Sequence, residues 1–270
     1  MSARAPAGST AWPPARRGSW VIDLDGVVWL AGEAIEGVAA AIGRLRQAGI
    51  TPLFVTNNSA PTIGELLERL ARAGVACGPD DLVTSAQAAS TLVAPGSRVL
   101  ALAEEGALEA LAAGGATLVD ESPADVVVVG WTRRFDFDRL TAAATAVRAG
   151  ARLVGTNDDA TYPTPHGLVP GAGSLLAAVA TASGARPEVA GKPNRPMVDL
   201  ICSRRHDVAA VVGDRPSTDG ALARTLGVRF ALVLSGVTPG GGPPPVPAPD
   251  TTAADLAALV ADFLGEQSRT

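Results

Sequence analysis

The chain has 270 residues, 47% of them hydrophobic, and a formal net charge of −5 at pH 7. This length and composition are those of an ordinary globular protein that can fill the core of one large domain or two modest ones. The acidic balance provides no long-range basic field, which argues against binding to nucleic acid or to a membrane surface and means that an anionic substrate needs a local positive site.

The sequence predicts a cytoplasmic protein that begins with a disordered leader over residues 1–19. The leader carries arginines among alanine, proline and glycine, but no continuous apolar segment that could form the core of a signal peptide. No segment reaches the ~18 uninterrupted apolar residues of a membrane helix. Cys77 and Cys202 lie far apart and lack Cys-x-x-Cys spacing, which favours free thiols in a reducing compartment.

Short β-branched apolar runs alternate with longer alanine- and leucine-rich stretches from Trp20 onward. This alternation is typical of parallel strands joined by helical crossovers, so the predicted fold class is α/β. The predicted strands are Trp20–Leu24, Thr51–Thr56, Val99–Leu102, Ala124–Val129, Arg152–Thr156, Val208–Val212 and Phe230–Val233. The predicted helices with apolar residues at helical spacing are Val38–Ala48, Ile63–Ala73 and Asp255–Leu264.

The distribution of polar segments between these predicted strands and helices predicts two domains. Residues 20–83 and 188–270 would pair into one domain, and residues 84–187 would form their own small α/β unit inserted into it. The Gly- and Pro-rich sequence from Pro239 to Pro249 predicts a surface loop ahead of the last helix.

The first predicted strand ends in two carboxylates, Asp23 and Asp25, within the sequence Asp-Leu-Asp-Gly. In an open parallel sheet, the carboxyl ends of the strands face the crevice where ligands bind. Two acidic side chains at that place would repel each other unless a cation or a substrate group offset their charge. This pair is the strongest indication of function in the sequence.

Two further segments could bind an oxyanion. The second strand runs into Thr56, Asn57, Asn58 and Ser59, whose small polar groups can donate hydrogen bonds, although Asn58 or Ser59 could equally cap the next helix. Lys192 is the only lysine in the sequence, and its compact ammonium could balance carboxylates and a phosphate as a point charge. The alternative for Lys192 is a solvated loop side chain.

The strand that ends near Val212 is followed by a second acidic segment, Gly213 to Gly220. Asp214 and Asp23 would supply the hard oxygen ligands that Mg²⁺ prefers. Asp219 could support this site or could be an ordinary first-turn residue of the next helix.

Together, Asp23-Leu-Asp25-Gly, Thr56-Asn-Asn, Lys192 and Gly213-Asp214-Arg-x-x-Thr-Asp219 resemble the haloacid dehalogenase superfamily, specifically its NagD-like and 4-nitrophenylphosphatase-like phosphatases. The resemblance covers the chain from Trp20 to Leu264, and the segment from Thr156 to Gly173 looks like the end of the family's cap domain. It implies a Rossmann-like core with an α/β cap of the C2 type inserted between the second and third motifs.

The resemblance implies a Mg²⁺-dependent phosphatase that hydrolyses phosphomonoesters of small metabolites through an aspartyl-phosphate intermediate. Asp23 is then the nucleophile and a metal ligand, and Asp25 is the general acid and base, with its backbone carbonyl on Mg²⁺. Asp214 is the further metal ligand, and Asp219 lies behind the ligands. The small phosphorylated metabolite could be a glycerol phosphate, a sugar phosphate, a nucleotide or pyridoxal phosphate.

The resemblance also assigns Thr56, Asn57 and Lys192 to the nonbridging phosphate oxygens. In the cap, Asn157 and Asp158 are expected to contact the leaving group. Further candidates lie in the turn around Thr164, Pro165 and His166, although a histidine in such a turn is more often a solvated loop residue.

The chain departs from the family pattern at two places. Asn157-Asp158-Asp159 stands where the family usually has Asn-Pro-Asp, which weakens any transfer of substrate identity. Pro216-Ser217 replaces the more familiar Leu-Asp within the last motif but spares both acidic positions there.

Other functions remain open from the sequence. A phosphotransferase or mutase would pass the phosphoryl group to a second hydroxyl, and a non-catalytic sensor would only bind the phosphorylated ligand. A sensor gains nothing from carboxylates that face a phosphate, so it ranks below the enzymes. A dinucleotide-dependent oxidoreductase ranks lower still, because Gly171-Ala-Gly173 lacks the required Gly-x-Gly-x-x-Gly spacing after a strand. Similar phosphatases form homodimers through the cap, but no feature of this sequence demonstrates one.

Overall fold

The structure is a computed structural model that describes residues 18–164, 167–238 and 240–265. Its strands are β1 (Gly18–Ile22), β2 (Trp29–Leu30), β3 (Glu33–Ala34), β4 (Ile50–Thr56), β5 (Leu82–Thr84), β6 (Arg98–Leu102), β7 (Thr117–Val119), β8 (Val126–Val129), β9 (Arg152–Gly155), β10 (Thr161–Thr164), β11 (Gly167–Pro170), β12 (Glu188–Val189), β13 (Val208–Gly213), β14 (Arg229–Val233) and β15 (Thr251–Ala253). Its α-helices are α1 (Val38–Gln47), α2 (Ile63–Arg72), α3 (Ser85–Ser90), α4 (Glu105–Ala113), α5 (Phe137–Arg148), α6 (Ala172–Ser183), α7 (Arg195–Arg204), α8 (Ala221–Leu226) and α9 (Leu256–Leu264). A short π-helical segment, Pro216–Gly220, precedes α8.

The first sheet is parallel, with the strand order β15-β14-β13-β1-β4-β5. Its central strand β1 lies between β13 and β4, so that Trp20 is opposite Ala210 on one side and Pro52 on the other. Both faces of β1 are buried, as expected for a parallel sheet covered by helices on each side. On one face, the Trp20 ring makes an edge contact with Phe263 of α9 at a centroid distance of 4.8 Å.

The second sheet is also parallel, with the order β12-β9-β8-β6-β7, and uses only residues between 98 and 189. Its inner face shares an apolar core with the other face of the first sheet: Val126 and Val154 belong to the same buried cluster as Val21 and Val211. Helices α5 and α6 pack on its outer face. The antiparallel hairpin of β10 and β11 follows this sheet and precedes α6.

The α/β class and a parallel core with an inserted α/β unit are confirmed. Every predicted strand and helix is present among the described residues, with ends displaced by no more than two residues. The sequence patterns did not reveal the short strands β2, β3, β5, β7, β10, β11, β12 and β15, because segments of two to four residues are too short to show a period.

Some expected boundaries shift. Residues 1–17 of the expected leader lie outside the described residues, but Gly18 and Ser19 open β1, where the Ser19 hydroxyl donates to Asp207 Oδ1 at 2.8 Å. Thr84 pairs with Thr56, so the first sheet extends one residue past the expected boundary. Glu188 and Val189 pair with β9, so the chain leaves the second sheet at Ala190 rather than before Glu188.

No helix within the described ranges is long and apolar enough to cross a membrane.

Candidate active site

Three neighbouring strands of the first sheet end at the same edge. Asp23 follows β1, Thr56 ends β4 and Asp214 follows β13. Because β1 pairs in parallel with both neighbours, these three residues meet at the carboxyl edge of the sheet. The Asp23 backbone N–H donates to Val212 O at 2.9 Å, which continues the strand pairing as far as the carboxylate.

The turn after Asp23 requires a glycine. Gly26 has a φ of +85°, and a Cβ at this position would lie 2.4 Å from Asp214 Oδ2. Any side chain there would therefore displace Asp214 as well as strain the backbone. The turn closes with a hydrogen bond from Gly26 N to Trp29 O at 2.7 Å, and Trp29 Nε1 donates to Asp25 Oδ1 at 3.1 Å. The Asp-x-Asp-Gly sequence thus fixes both carboxylates relative to Asp214.

Lys192 is buried between two of the carboxylates. Its Nζ donates to Asp23 Oδ1 and to Asp219 Oδ1, each at 2.7 Å, and its side chain is only 3% exposed. Burial alone would lower the pKa of Lys192, but Asp219 and Asp23 raise it by more, so the lysine stays charged. The structure excludes the alternative of a solvated loop lysine.

The pKa values of Asp23, Asp25 and Asp214 are also shifted, because burial disfavours their charged forms. Burial raises the pKa of Asp23 well above its ordinary value; Lys192 opposes this rise, and Asp219 and Asp214 add to it. Burial also raises the pKa of Asp214, to about 6, and Asp219 adds to that rise. Burial raises the pKa of Asp25 as well, against the hydrogen bond from Trp29. One lysine therefore does not neutralise this group of acids.

The acidic group fits a hard divalent cation. Asp23, Asp214 and Asp219 each offer a carboxylate oxygen, and these oxygens lie within 4.8 Å of one another. Oxygen donors of this kind suit Mg²⁺. Asp219 already accepts from Lys192 and, through Oδ2, from the Arg215 backbone N–H at 3.1 Å, and it does not line the cavity. Asp23 and Asp214 do line it, so their carboxylates are the two of this group that are open to the cavity, with Asp219 behind them.

Both polar atoms of the Asn57 side chain already form hydrogen bonds within the protein. Its Oδ1 accepts from the Lys192 backbone N–H at 2.7 Å, and its Nδ2 donates to Asp159 Oδ2 at 3.0 Å and to Lys192 O at 3.3 Å. It therefore fixes the loop that carries Lys192. Thr56 Oγ1 accepts from Asn58 N at 2.9 Å, which leaves its hydroxyl hydrogen for a ligand.

The segment after β9 forms the other wall of the cavity. Asn157 is buried, and its Nδ2 donates to Asn57 O at 2.7 Å. Its Oδ1 accepts from Asp159 N at 3.1 Å, a turn that directs Asp159 to Asn57 and to Arg215, whose guanidinium lies 3.3 Å from Asp159 Oδ1. Asp158 is exposed and is absent from the cavity lining, in contrast to the expectation that it contacts the substrate.

The resulting cavity has a volume of about 440 Å³, within the ~300–1,000 Å³ typical of small-molecule sites. Of the turn proposed from sequence, Thr164 lines the cavity, whereas Pro165 and His166 lie outside the described residues. The sequence-predicted residues that line it are Asp23, Asp25, Thr56, Asn57, Asn157, Lys192 and Asp214.

Sequence reasoning missed several lining residues: Arg69, Arg72, Trp131, Asp159, Tyr162 and Arg215. The Asn-x-Asp spacing of Asn157 and Asp159 was a usable signal, because an Asx turn points the second acid back across the turn. The rings of Trp131 and Tyr162 are tilted by 47° to each other with centroids 5.8 Å apart, although the residues are far apart in sequence, and no local pattern could have paired them.

Comparison with known proteins gives consistent matches. A family model described as haloacid dehalogenase-like hydrolase matches residues 20–117, and one described as HAD-hydrolase-like matches residues 189–259. A D-glycerol 3-phosphate phosphatase of Mycobacterium tuberculosis is 39% identical over 80% of this chain, and the match spans 63% of that protein. An acid sugar phosphatase of Staphylococcus saprophyticus is 34% identical over 82% of this chain and 87% of its own length.

Solved structures agree with these matches. A p-nitrophenyl phosphatase from Archaeoglobus fulgidus has a TM-score of 0.85 and 30% identity, and the alignment covers 91% of this chain and 99% of that one. The glycerol phosphate phosphatase of Mycobacterium tuberculosis in complex with magnesium has a TM-score of 0.82 and 36% identity, covering 90% of this chain and 76% of that one. The similarity therefore extends over both sheets.

Proposed function

This chain belongs to the haloacid dehalogenase-like hydrolase family, and on that premise we propose that it is a Mg²⁺-dependent phosphatase of small phosphomonoesters. The observation that carries the proposal is the buried group of Asp23, Lys192 and Asp219 beside Asp214, on the floor of a small-molecule cavity. Relatives named as phosphatases of glycerol 3-phosphate, of sugars and of p-nitrophenyl phosphate support the substrate class.

Asp23 and Asp214 would hold Mg²⁺ through their side chains. The family resemblance adds the backbone carbonyl of Asp25. When bound, the ion supplies the positive charge that lets a carboxylate approach a phosphate. A further positive charge on the floor is the Lys192 ammonium, fixed by two carboxylates and by the Asn57 contacts to its backbone. Lys192 and the Thr56 hydroxyl would bind nonbridging phosphate oxygens, and Asn57 would act by positioning Lys192.

In the first step, a carboxylate oxygen of Asp23 attacks the phosphorus, and the bond from phosphorus to the ester oxygen breaks. Asp25 donates its proton to the departing alkoxide, which leaves as an alcohol. Asp25 lines the cavity and is oriented by Trp29, so its side chain is free to face the leaving group rather than the ion.

In the second step, water attacks the phosphorus of the aspartyl phosphate. Asp25 takes a proton from the water, the bond from phosphorus to the Asp23 oxygen breaks, and inorganic phosphate leaves. Asp23 is regenerated as a carboxylate and Asp25 as an acid, so the cycle consumes only the ester and one water.

We also propose that the unit built on the second sheet acts as a cap that supplies Asn157 and Asp159 to the cavity. The free cysteines, Cys77 and Cys202, support a cytoplasmic location.

A homodimer formed through the cap stays a prediction from the family resemblance.

The proposal is tested by measuring inorganic phosphate released from a panel of phosphorylated metabolites, with Mg²⁺ and with EDTA. We expect Mg²⁺-dependent release that EDTA abolishes and added Mg²⁺ restores. Release of less phosphate than the substrate consumed would instead show transfer to a second hydroxyl, and therefore a phosphotransferase or mutase. Tight ligand binding by calorimetry without any release would show a non-catalytic sensor.

A further inference from the structure

The side chains of two arginines on the cavity wall have no hydrogen-bond or ion-pair partner among the residues that the structure describes. Among the described residues, three arginines line the cavity: Arg69 and Arg72 of α2, and Arg215. Arg215 pairs with Asp159 at 3.3 Å. Arg69 and Arg72 are exposed and, within the described part of the chain, neither makes an ion pair or a side-chain hydrogen bond. They form an arginine pair one helical turn apart at the edge of the cavity.

The helix offers acidic partners that these arginines do not use. Glu65 precedes Arg69 by four residues and Glu68 precedes Arg72 by four, the spacing at which ion pairs stabilise a helix. Neither pair forms. Glu65 instead accepts from the Thr62 backbone N–H at 2.9 Å as part of the capping box of α2. The two guanidinium groups are therefore available to a ligand.

The charge of Arg69 reaches into the cavity. Burial raises the pKa of Tyr162 to about 12, the Asp25 charge adds to that rise, and Arg69 opposes it. Tyr162 lines the same cavity and faces Trp131 with ring centroids 5.8 Å apart. Arg69 therefore acts electrostatically on a side chain that lines the cavity together with it.

The scissile phosphate does not account for these arginines. On the proposed function its oxygens would be bound on the floor by Lys192, Thr56 and an ion that Asp23 and Asp214 would hold, whereas Arg69 and Arg72 belong to a different element, α2. The cavity of about 440 Å³ is lined by all of these groups together. Guanidinium groups bind carboxylates and phosphates through paired, charge-assisted hydrogen bonds.

We propose that the cavity selects phosphomonoesters that carry a second oxyanion, a carboxylate or a second phosphate, bound by Arg69 and Arg72. This inference rests on the proposed phosphatase function and specifies its substrate class. The reacting phosphate binds on the floor, the body of the substrate lies beside Trp131 and Tyr162, and the second oxyanion binds the arginine pair.

The test compares substrates that share a scissile phosphate but differ in the second group. The carboxylate arm uses 3-phosphoglycerate against glycerol 3-phosphate, and the phosphate arm uses fructose 1,6-bisphosphate against fructose 6-phosphate. The substrate p-nitrophenyl phosphate carries no second anionic group, so its turnover reports phosphate hydrolysis without the proposed second contact. Values of kcat/KM are measured with Mg²⁺ for the wild type, Arg69→Gln, Arg72→Gln and the double variant. Arg186→Gln, an exposed arginine outside the cavity, is the matched control.

We expect the wild type to favour the member that carries the second oxyanion in at least one pair by about tenfold or more in kcat/KM, mostly through KM. The double variant should reduce that preference to near one, with p-nitrophenyl phosphate turnover within about twofold of wild type and Arg186→Gln unchanged. The arm that shows the preference identifies the second oxyanion.

Three outcomes would overturn the inference. A wild type with no preference in either pair lacks the subsite, and an equal loss for all substrates in the double variant shows only general attraction of anions. A lower thermal midpoint with unchanged kcat/KM values shows that the arginines merely complement the carboxyl end of α2. If the wild type hydrolyses none of the esters, including p-nitrophenyl phosphate, the proposed function itself fails, which separates the two failures.

Discussion

The floor of the cavity and its capping wall both contain aspartates with basic partners, but the two pairs lie in different surroundings. On the floor, Lys192 and Asp23 meet at 2.7 Å with side chains 3% and 10% exposed. Asp159 of the capping wall meets Arg215, which follows β13 of the first sheet, at 3.3 Å, and the side chains of Arg215 and Asp159 are 25% and 20% exposed. Removing one member of a buried pair costs about 3–5 kcal/mol, and the cost falls as the pair becomes more exposed, towards the ~0–1 kcal/mol that a fully solvent-exposed pair contributes.

This difference separates two tasks within one cavity. The floor holds charges whose removal affects both the chemistry and the stability of the chain, because the ends of buried strands position them. The capping wall holds Asp159, whose contacts with Asn57 and Arg215 are partly exposed to solvent. Changes there should alter substrate binding without unfolding the protein.

The largest effect is expected at the nucleophile. Asp23→Asn keeps the shape and the hydrogen-bonding capacity of the side chain but removes the attacking charge, so kcat should fall by about 10⁴-fold or more. Phosphate release with Mg²⁺ measures the loss, and a thermal melt checks that the fold is intact. Mg²⁺-dependent turnover that survives in this variant would contradict the assignment of Asp23.

The next effect concerns stability. Lys192→Met leaves the buried carboxylates of Asp23 and Asp219 without their cation, so the free energy of unfolding should fall by about 3 kcal/mol in metal-free buffer at pH 7. Urea denaturation measures the change. Arg186→Met removes one exposed cation and is the control, expected to stay near wild type. Equal stability of the two variants would mean that the floor charges are not coupled as described.

The pH dependence of metal binding tests the floor with a smaller effect. Because the pKa of Asp214 is raised to about 6, the folded, metal-free protein binds this proton more tightly than the unfolded chain. Its contribution to stability therefore improves as pH falls through 6, while Mg²⁺, which needs the carboxylate, binds more weakly. We expect about tenfold weaker Mg²⁺ binding at pH 5 than at pH 7 by calorimetry. Equal affinities at both pH values would contradict this account of Asp214.

The smallest effect is expected on the capping wall, where two adjacent aspartates provide a matched comparison. Asp159→Asn weakens the contacts to Arg215 and Asn57 and should lower kcat/KM by about fivefold, chiefly through KM. Asp158→Asn changes an exposed neighbour outside the cavity and should have no effect. Steady-state kinetics on one ester decides between them: a larger loss in the Asp158 variant would reverse their roles.

The same contrast explains what the sequence could predict. Asp23, Thr56 and Asp214 follow apolar runs that form neighbouring parallel strands, so their meeting at one edge follows from the pattern. Lys192 was found because it is the single lysine in the chain and because the motif order resembles a known family.

The capping wall was less predictable because it is made of turns. Asp158 and Asp159 are the same residue type in adjacent positions, and only the turn from Asn157 Oδ1 to Asp159 N decides which one faces the cavity. Likewise, Arg69 and Arg72 fit an ordinary amphipathic helix by sequence. Their place beside Tyr162 depends on how the inserted unit packs, which no local pattern encodes.

The most direct test of the central claim is to trap the covalent intermediate. The protein is mixed with Mg²⁺ and a ³²P-labelled phosphomonoester that it hydrolyses, quenched in acid during turnover, and digested for mass spectrometry. We expect label on the peptide that contains Asp23, stable in acid, lost in alkali, and absent from Asp23→Asn. Full turnover without any protein-bound label, or label on a different residue, would contradict this expectation.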